Sequence, residues 1–368
     1  MINSVSPVQL LARVTLVAIL AGVAAAQTQS SDIPLLNPFT SVANESVKDI
    51  ELSGKVIAKI TDGDLVQPAF SPDGRVLAYS KVLSSGQFEN TEVLLYNSAT
   101  GKTTVLLNSN KAAKYATYKA FVTEIKWSAP KRLEVQVGDG DVGSTRLIFD
   151  PYRKRLLQES SQDELELEPM SPIYRRARQQ AVSLFPAFPR AVLDNALSSS
   201  SLVIPGKGIV LQKNYAGHDD NIWFLDFQSK SIKSLISLSN DSRRAFNGGL
   251  SFESSIFLLL GNQTNSYLFL YRDGKIKGLV KFESTGMGQV EIKHRSPERV
   301  VFLVRTRDHS EKGDNPLFVF DGEQLFRVRK HAELYDAAID PAGRRIAFCY
   351  WEGDKRHIVI KQLNELFR

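Results

Sequence analysis

Phe70–Ser80 reads FSPDGRVLAYS, and its meaning decides the fold. Ser71-Pro72-Asp73-Gly74 is turn chemistry, because proline presets φ at the second position of a turn and glycine is favoured at the fourth. Val76 to Tyr79 are strand formers. A polar loop, SSGQFEN, leads to a second strand, EVLLY; NSATGK turns the chain again and TTVLL makes a third strand. With the approach strand before Phe70, this is a four-stranded meander.

The unit recurs. Near the C-terminus IDPAGRRIAFCYW repeats the turn as Asp340-Pro341-Ala342-Gly343, and HIVIKQL follows as the next strand. Between the two ends the pattern is weaker but present. KWSAPKRLEVQV with STRLIFDPYRKRLLQ, IPGKGIVLQK with NIWFLDFQSKSIKSLI, LSFESSIFLLLG with SYLFLYRDGKIKGLV, and HRSPERVVFLVR with PLFVFDGEQLFRV each give turn, apolar strand, loop, apolar strand, turn and last strand. Six units at intervals of roughly 40–55 residues, four strands each, predict an all-β fold: a six-bladed β-propeller of four-stranded antiparallel blades with one short helical insertion. The last unit supplies three strands before Arg368. KVIAKIT, from Lys55, has the pattern to complete it, so an N-terminal strand is expected to close the ring and hide a sheet edge.

The turn-and-strand motifs FSPDGRVLAYS and IDPAGRRIAF resemble the repeats of TolB-like propellers, which are six-bladed. The resemblance covers about residues 50–368. It implies an envelope protein that binds other proteins. TolB proteins also carry an α/β domain ahead of the propeller, which the short stretch before Lys55 is not expected to hold. Similar propellers gate prolyl-oligopeptidase-type peptidases, but no part of the sequence reads as the α/β-hydrolase domain those need.

The chain has 368 residues, 43% of them hydrophobic and 23% charged, an ordinary globular composition. Its net charge of +6 sets 46 basic against 40 acidic residues spread along the chain, which does not point to nucleic acid. Residues 1–26 differ. Arg13 is their only charged residue, VTLVAILAGVAAA follows it, and Ala24 and Ala26 make a small-x-small cleavage signal before Gln27. That predicts a secretory signal peptide over 1–26, cleaved near Ala26, then a linker over 27–49. An exported, periplasmic location is the expectation. Cys349 is the single cysteine, so no internal disulfide forms; inside RIAFCYW it reads as a small buried hydrophobe.

An insertion interrupts the repeat at about residues 160–200. It begins acidic, SQDELELEP, and turns basic, SPIYRRARQQAVSLFPAFPR. Ile173, Tyr174, Ala177, Ala181, Leu184 and Phe185 follow helical spacing, with Ser171-Pro172 suiting the start and Pro186 the end. Tyr174, Arg175, Arg176 and Arg178 fall beside or within that stripe. They pack as a solvated helix on the propeller wall, paired with Glu164, Glu166 and Glu168, or they form a docking element for a partner or an anionic surface.

Catalytic motifs are sparse. GDGDVG at Gly138–Gly143 fits G-x-G-x-x-G, yet a strand rather than a helix follows, so it reads as a hairpin loop. Asp139 and Asp141 lack the remaining ligand spacing of a calcium loop. Neither G-x-S-x-G nor H-E-x-x-H occurs, and His218-Asp219-Asp220 reads as a solvated loop. Aligning the repeats on Val76, Leu133, Ile209, Ile256, Val300 and Arg345 gives a subtler pattern. Nine residues earlier stand Gln67, Glu124, Ser200, Asn247, Glu291 and Asp336, all polar and three acidic. They are expected near the start of each innermost strand, ringing one channel mouth. A one-residue slip would turn any of them to the opposite face.

These observations favour an exported, non-catalytic protein-interaction scaffold of the cell envelope. The alternatives are a hydrolase acting at the channel mouth and a small-ligand or peptide-binding sensor. No cofactor, metal or nucleic acid is expected. The partner is an envelope protein or peptide, with peripheral membrane association as a further option, and the chain is expected to be monomeric.

Overall fold

The computed structural model describes residues 47–363, apart from 52–53, 62, 86–87, 116–119, 139–143, 163–171, 200, 213–219, 239–244, 262–264, 284–287, 307–314 and 330–332. The expected signal peptide and most of the expected linker lie outside the described residues. The described residues divide into two compact units, 172–246, and 47–162 with 247–363.

The larger unit opens with two short strands, β1 (Val47–Glu51) and β2 (Lys55–Ile60). Then come β3 to β6 (Asp64–Phe70, Val76–Ser85, Phe88–Asn97, Thr103–Leu107), an antiparallel meander in sequence order. A second meander follows in β7 to β10 (Phe121–Ala129, Arg132–Gly138, Ser144–Asp150, Arg155–Gln162). In the smaller unit, two helices, α1 (Pro172–Leu184) and α2 (Arg190–Ser199), precede the sheet β11 to β14 (Ser201–Ile204, Gly208–Gln212, Asp220–Asp226, Ser231–Leu238). The remaining sheets are β15 to β18 (Ala245–Phe252, Ser255–Gly261, Asn265–Arg272, Lys275–Glu283), β19 to β22 (Gln289–Arg295, Val300–Arg305, Leu317–Phe320, Leu325–Arg329) and β23 to β25 (Glu333–Ile339, Arg345–Glu352, Lys355–Gln362).

Both N-terminal strands complete sheets made from the far end of the chain. β2 pairs antiparallel with β25, Lys55 opposite Ile360 and Ile60 opposite Arg356. β1 pairs parallel with β22, Val47 opposite Leu325 and Glu51 opposite Arg329. The first pairing follows the reading of KVIAKIT. The second corrects the linker boundary, since β1 begins at Val47 inside the expected 27–49 linker. VKDIE is too short and charged to announce itself as a strand, and those charges suit an edge. Arg327 donates to both carboxylate oxygens of Asp49, at 2.8 and 3.2 Å, fixing its register.

The turns form as their residues dictate. Gly74 sits at φ 69°, where glycine meets no Cβ penalty, and its N–H donates to Ser71 O at 2.7 Å. Ser71 Oγ accepts from Val76 N at 2.9 Å and donates to Asp73 at 2.6 Å. At the last turn Asp340 takes the place of Ser71, accepting from the N–H groups of Arg344 (2.6 Å) and Arg345 (2.9 Å). A second recurring device closes the third hairpin of four sheets. Asn97, Asp150, Asp226 and Asp321 each accept the backbone N–H groups two and three residues on, at 2.7–3.2 Å. Such side-chain turns hold the chain reversal locally.

In the larger unit the five sheets pack face to face in series. Phe257 meets Phe302 and Phe320 between β15–β18 and β19–β22. Val301 and Leu303 meet Ile346 and Phe348 in the next layer. Leu65 and Tyr79 meet Ala347 and Ile358 in the next, and Ala78 and Leu95 meet Val135 and Leu147 in the last. Full burial of a Leu or Phe contributes about 1.5–3 kcal/mol, so these layers dominate the stability. Polar staples cross the same seams. Thr91 donates to Ala120 O (2.7 Å), Trp127 to Ala69 O (3.1 Å), Asn315 to Tyr335 O (3.2 Å) and the Tyr335 hydroxyl to Leu65 O (2.6 Å).

In the smaller unit α1 and α2 lie on one sheet face, with Ala177, Ala181, Phe185, Val192 and Leu193 against Ile209, Leu211 and Leu225. The insertion is expected from about residue 160, with one helix starting at Ser171-Pro172 and ending at Pro186. Instead β10 runs to Gln162, and a second helix follows the first. Pro186 lies just beyond α1 and Pro189 just before α2, where Pro189 O accepts from Val192 N and Leu193 N. Asp194 and Asn195 break up the apolar period of α2 and hid it from a pattern search.

Candidate functional site

The five described residues of the expected polar ring all stand on the first strands of their sheets: Gln67 on β3, Glu124 on β7, Asn247 on β15, Glu291 on β19 and Asp336 on β23. Ser200 lies outside the described residues. In the larger unit β7, β3, β23 and β19 run side by side. Each of these four carries a bulge near the aligned position, at Gln67–Pro68, Thr123, Tyr335 and Lys293. A bulge adds a residue to one strand and re-aims its side chains.

The structure brings Gln67, Glu291 and Asp336 together. Asp336 is 6% exposed. Its Oδ2 accepts the Gln67 backbone N–H at 3.0 Å, and its Oδ1 accepts from Ala337 N at 2.8 Å and from Lys293 Nζ at 3.1 Å. Lys293 also meets Glu291 at 2.9 Å. Arg305, at the end of β20, grips Glu291 through two hydrogen bonds at 2.6 and 3.2 Å and stands 3.7 Å from Asp336. Gln67 makes this reach with φ 55°, the only positive φ at a non-glycine within a strand among the described residues. That conformation is costly for a side chain of its size, and the Asp336 bond holds it. The Gln67 amide donates sideways to Thr123 O of β7.

Two carboxylates and two cations therefore join three sheets, β19–β22, β23–β25 and β3–β6. Burial pushes the Glu291 carboxyl up, but the Arg305 hydrogen bond and the charges of Lys293 and Arg305 outweigh it and hold it at about 2. Burial pushes the Lys293 ammonium down, and the Asp336 and Glu291 carboxylates outweigh it and hold it above its ordinary value. Glu291 and Lys293 therefore both stay charged through neutral pH.

Glu124 and Asn247 are not drawn into this cluster. Glu124 is exposed beside Thr123, and Asn247 lies near Gly261 in its own sheet. Lys293, Arg305 and Thr123 escaped the repeat alignment, which compared only one column. The spacing Glu291-x-Lys293 was the available signal for one cation. Nothing local marks Arg305, which lies fourteen residues from Glu291.

On the insertion, Tyr174 is half-buried against the sheet while Arg175 and Arg176 are exposed. Arg178 binds Asp194 of α2 at 2.6 and 3.0 Å. Glu164, Glu166 and Glu168, the expected partners of these arginines, lie outside the described residues. Ile173, expected in the buried stripe, is 54% exposed in the first turn of α1.

The remaining motifs resolve plainly. Gly138 and Ser144 pair across a β8–β9 hairpin, so GDGDVG opens no helix; Asp139 and Asp141 lie outside the described residues. So do His218 and Asp219, while Asp220 starts β13. Cys349 is buried, and burial pushes its thiol well up. No group of His, Cys, Asp and Glu with metal-site geometry occurs among the described residues, nor any helix long and apolar enough to cross a membrane.

No family model matches the chain, and no curated protein matches it. Solved structures do. The β-propeller domain of the Trilobed protease from Pyrococcus furiosus is 11% identical over 82% of this chain and 85% of that one, with a TM-score of 0.29. A prolyl endopeptidase is 10% identical over 84% of this chain, with a TM-score of 0.30, and the match spans 42% of its length. A chain of the mitotic checkpoint complex is 11% identical over 90% of this chain and 99% of its own, with a TM-score of 0.38.

Proposed function

We propose that the protein is an exported, non-catalytic protein-interaction scaffold of the cell envelope, its six meanders forming a TolB-like six-bladed propeller closed by β2. The observation that carries this reading is the use made of the first-strand charges. A general acid or base works best with a pKa near the operating pH. Here Glu291 is held at about 2 and Lys293 above its ordinary value, and both are engaged by neighbours. The cluster fastens sheets together and leaves recognition to the loops, where binding residues commonly sit on a rigid frame. The β2–β25 pairing supports closure, since it ties the start of the repeat to its last sheet.

Three measurements test it. N-terminal sequencing of the fractionated protein gives Gln27 as the first residue; an unprocessed cytoplasmic chain refutes export. Small-angle scattering gives a radius of gyration of about 20 Å for a single closed domain of this length, and a much larger value refutes the ring. Photo-crosslinking in envelope fractions, with probes at exposed positions such as Tyr152, captures a protein partner; a purified protein that turns over substrates at the Glu291 cluster refutes the scaffold.

A further inference from the structure

We infer that the turn end of sheets β3–β6, β7–β10 and β23–β25 docks the acidic run 163–168 of a second copy of this chain. In β7–β10, Leu133 stands opposite Phe149 and Phe149 opposite Leu156, so the β7–β8 and β9–β10 turns share one end. In β3–β6, Val76 stands opposite Asn97 and Tyr96 opposite Thr103, so Arg75 and Lys102 share one end too. The ends of the three sheets are continuous. Tyr152 of the β9–β10 turn lies beside Ser71, Asp73 and Arg75, and the Arg345 guanidinium donates to Gly74 O. Six exposed cations there, Lys102, Lys131, Arg132, Lys154, Arg155 and Arg344, have no side-chain partner among the described residues. The acids at the same end are each answered already. Asp73 has Arg75, Asp150 has Arg153 at 3.9 Å, and Asp340 has Arg345 at 3.1 Å.

The complement is in the same sequence. From 158 to 174 there are five acidic residues and no basic one, and four of the five fall in 163–168, DELELE. Packed sheets stand about 10 Å apart, so the cations of three sheets span about 20 Å, the length of a six-residue extended segment. Strand β10 links the two features. Arg155 opens it at the cationic turns, and Gln162 closes it at the other end of the sheet, roughly 25 Å away. A run that starts there cannot lay its four carboxylates on the turns of its own copy, whereas the turns of a second copy are open to it. The contact is heterologous: the acidic run of one copy meets the cationic end of the next, and copies associate head to tail. Exposed ion pairs are weak singly and screened by salt, so the association is weak and salt-sensitive.

The inference is independent of the scaffold reading, because it is read on the purified chain alone. Analytical ultracentrifugation of the full chain is expected to show concentration-dependent association in about 0.05 M salt and a monomer in about 0.5 M, the condition in which single-domain scattering is measured. Glu164→Gln with Glu166→Gln and Glu168→Gln should weaken association about tenfold or more, at roughly two- to fivefold per charge. Lys131→Gln with Arg132→Gln and Lys154→Gln should weaken it to the same degree. Mixed in equal amounts, the two variants should form a heterodimer and nothing longer, because each keeps the half that the other lacks. Lys275→Gln with Lys277→Gln and Lys281→Gln, a matched loss at exposed positions of β18, should change association less than about threefold. Far-ultraviolet dichroism confirms that each variant is folded. A wild-type chain that stays monomeric in low salt, an acidic-run variant that associates like the wild type, a mixture that does not pair, or a β18 variant as weak as the cationic one overturns the proposal.

Discussion

Glu291→Gln tests the charge cluster most directly. A carboxyl lowered from 4.5 to about 2 favours the folded form by at most about 3 kcal/mol at neutral pH. Its side chain is 27% exposed, and solvent screening brings the expected contribution to about 2 kcal/mol. The sign follows from the depressed pKa. The contribution is fully present above about pH 5, where the unfolded carboxyl is ionised, and is lost as the pH falls towards 2. The variant should therefore melt about 3 °C below the wild type at pH 7, from the unfolding entropy of a chain of this size. That gap should shrink steadily below pH 5 and vanish near pH 2. Paired thermal melts across that range measure it, and the difference between the two proteins cancels the titration of other carboxylates. A gap that is constant with pH, or absent at pH 7, refutes the account of Glu291 as the ionised partner of Arg305 and Lys293.

On the alkaline side, Lys293→Met should remove a stability term present below about pH 10 and lost above it, so its melting deficit narrows in strong base. Gly74→Ala should cost about 1–2 kcal/mol: φ is 69°, and the new Cβ would stand 2.7 Å from the Arg345 guanidinium that bonds the Gly74 carbonyl, as urea titration would show. Cys349 should resist a thiol reagent in the native protein and react fully in denaturant; prompt native labelling would contradict its burial. Asn315→Ala removes an acceptor for Thr306 N (2.8 Å) and a donor to Tyr335 O (3.2 Å), both buried, and should cost about 2–3 kcal/mol.

The parts of this protein that were legible in its sequence are those determined over a few residues. Ser71-Pro72-Asp73-Gly74 and Asp340-Pro341-Ala342-Gly343 each contain their own turn, with donor, acceptor and the positive-φ glycine inside five positions. Any strand pair flanking such a turn could be read, and the meander repeat with it. Bulges are a different matter. Thr123, Lys293 and Tyr335 are extra residues only in relation to a partner strand, and no residue type announces them. The alignment column survived because a bulge on all four neighbouring strands near one level keeps the polar residues roughly in step.

Partnership across sheets was illegible for the same reason. Gln67 and Asp336 are 269 residues apart and meet only because the first strands of two sheets lie side by side. Composition could show that each position is polar, yet it could not distinguish a ring of open binding groups from a set of mutually neutralised ones. The distinction rests on Arg305, which comes from a second strand and enters the cluster from behind the aligned column. With it, two acids and two bases balance and the edge becomes a fastening. Without it, Glu291 and Asp336 would share one lysine, and the edge would be left with one negative charge in excess. The charge balance that makes this edge a fastening thus turns on one arginine.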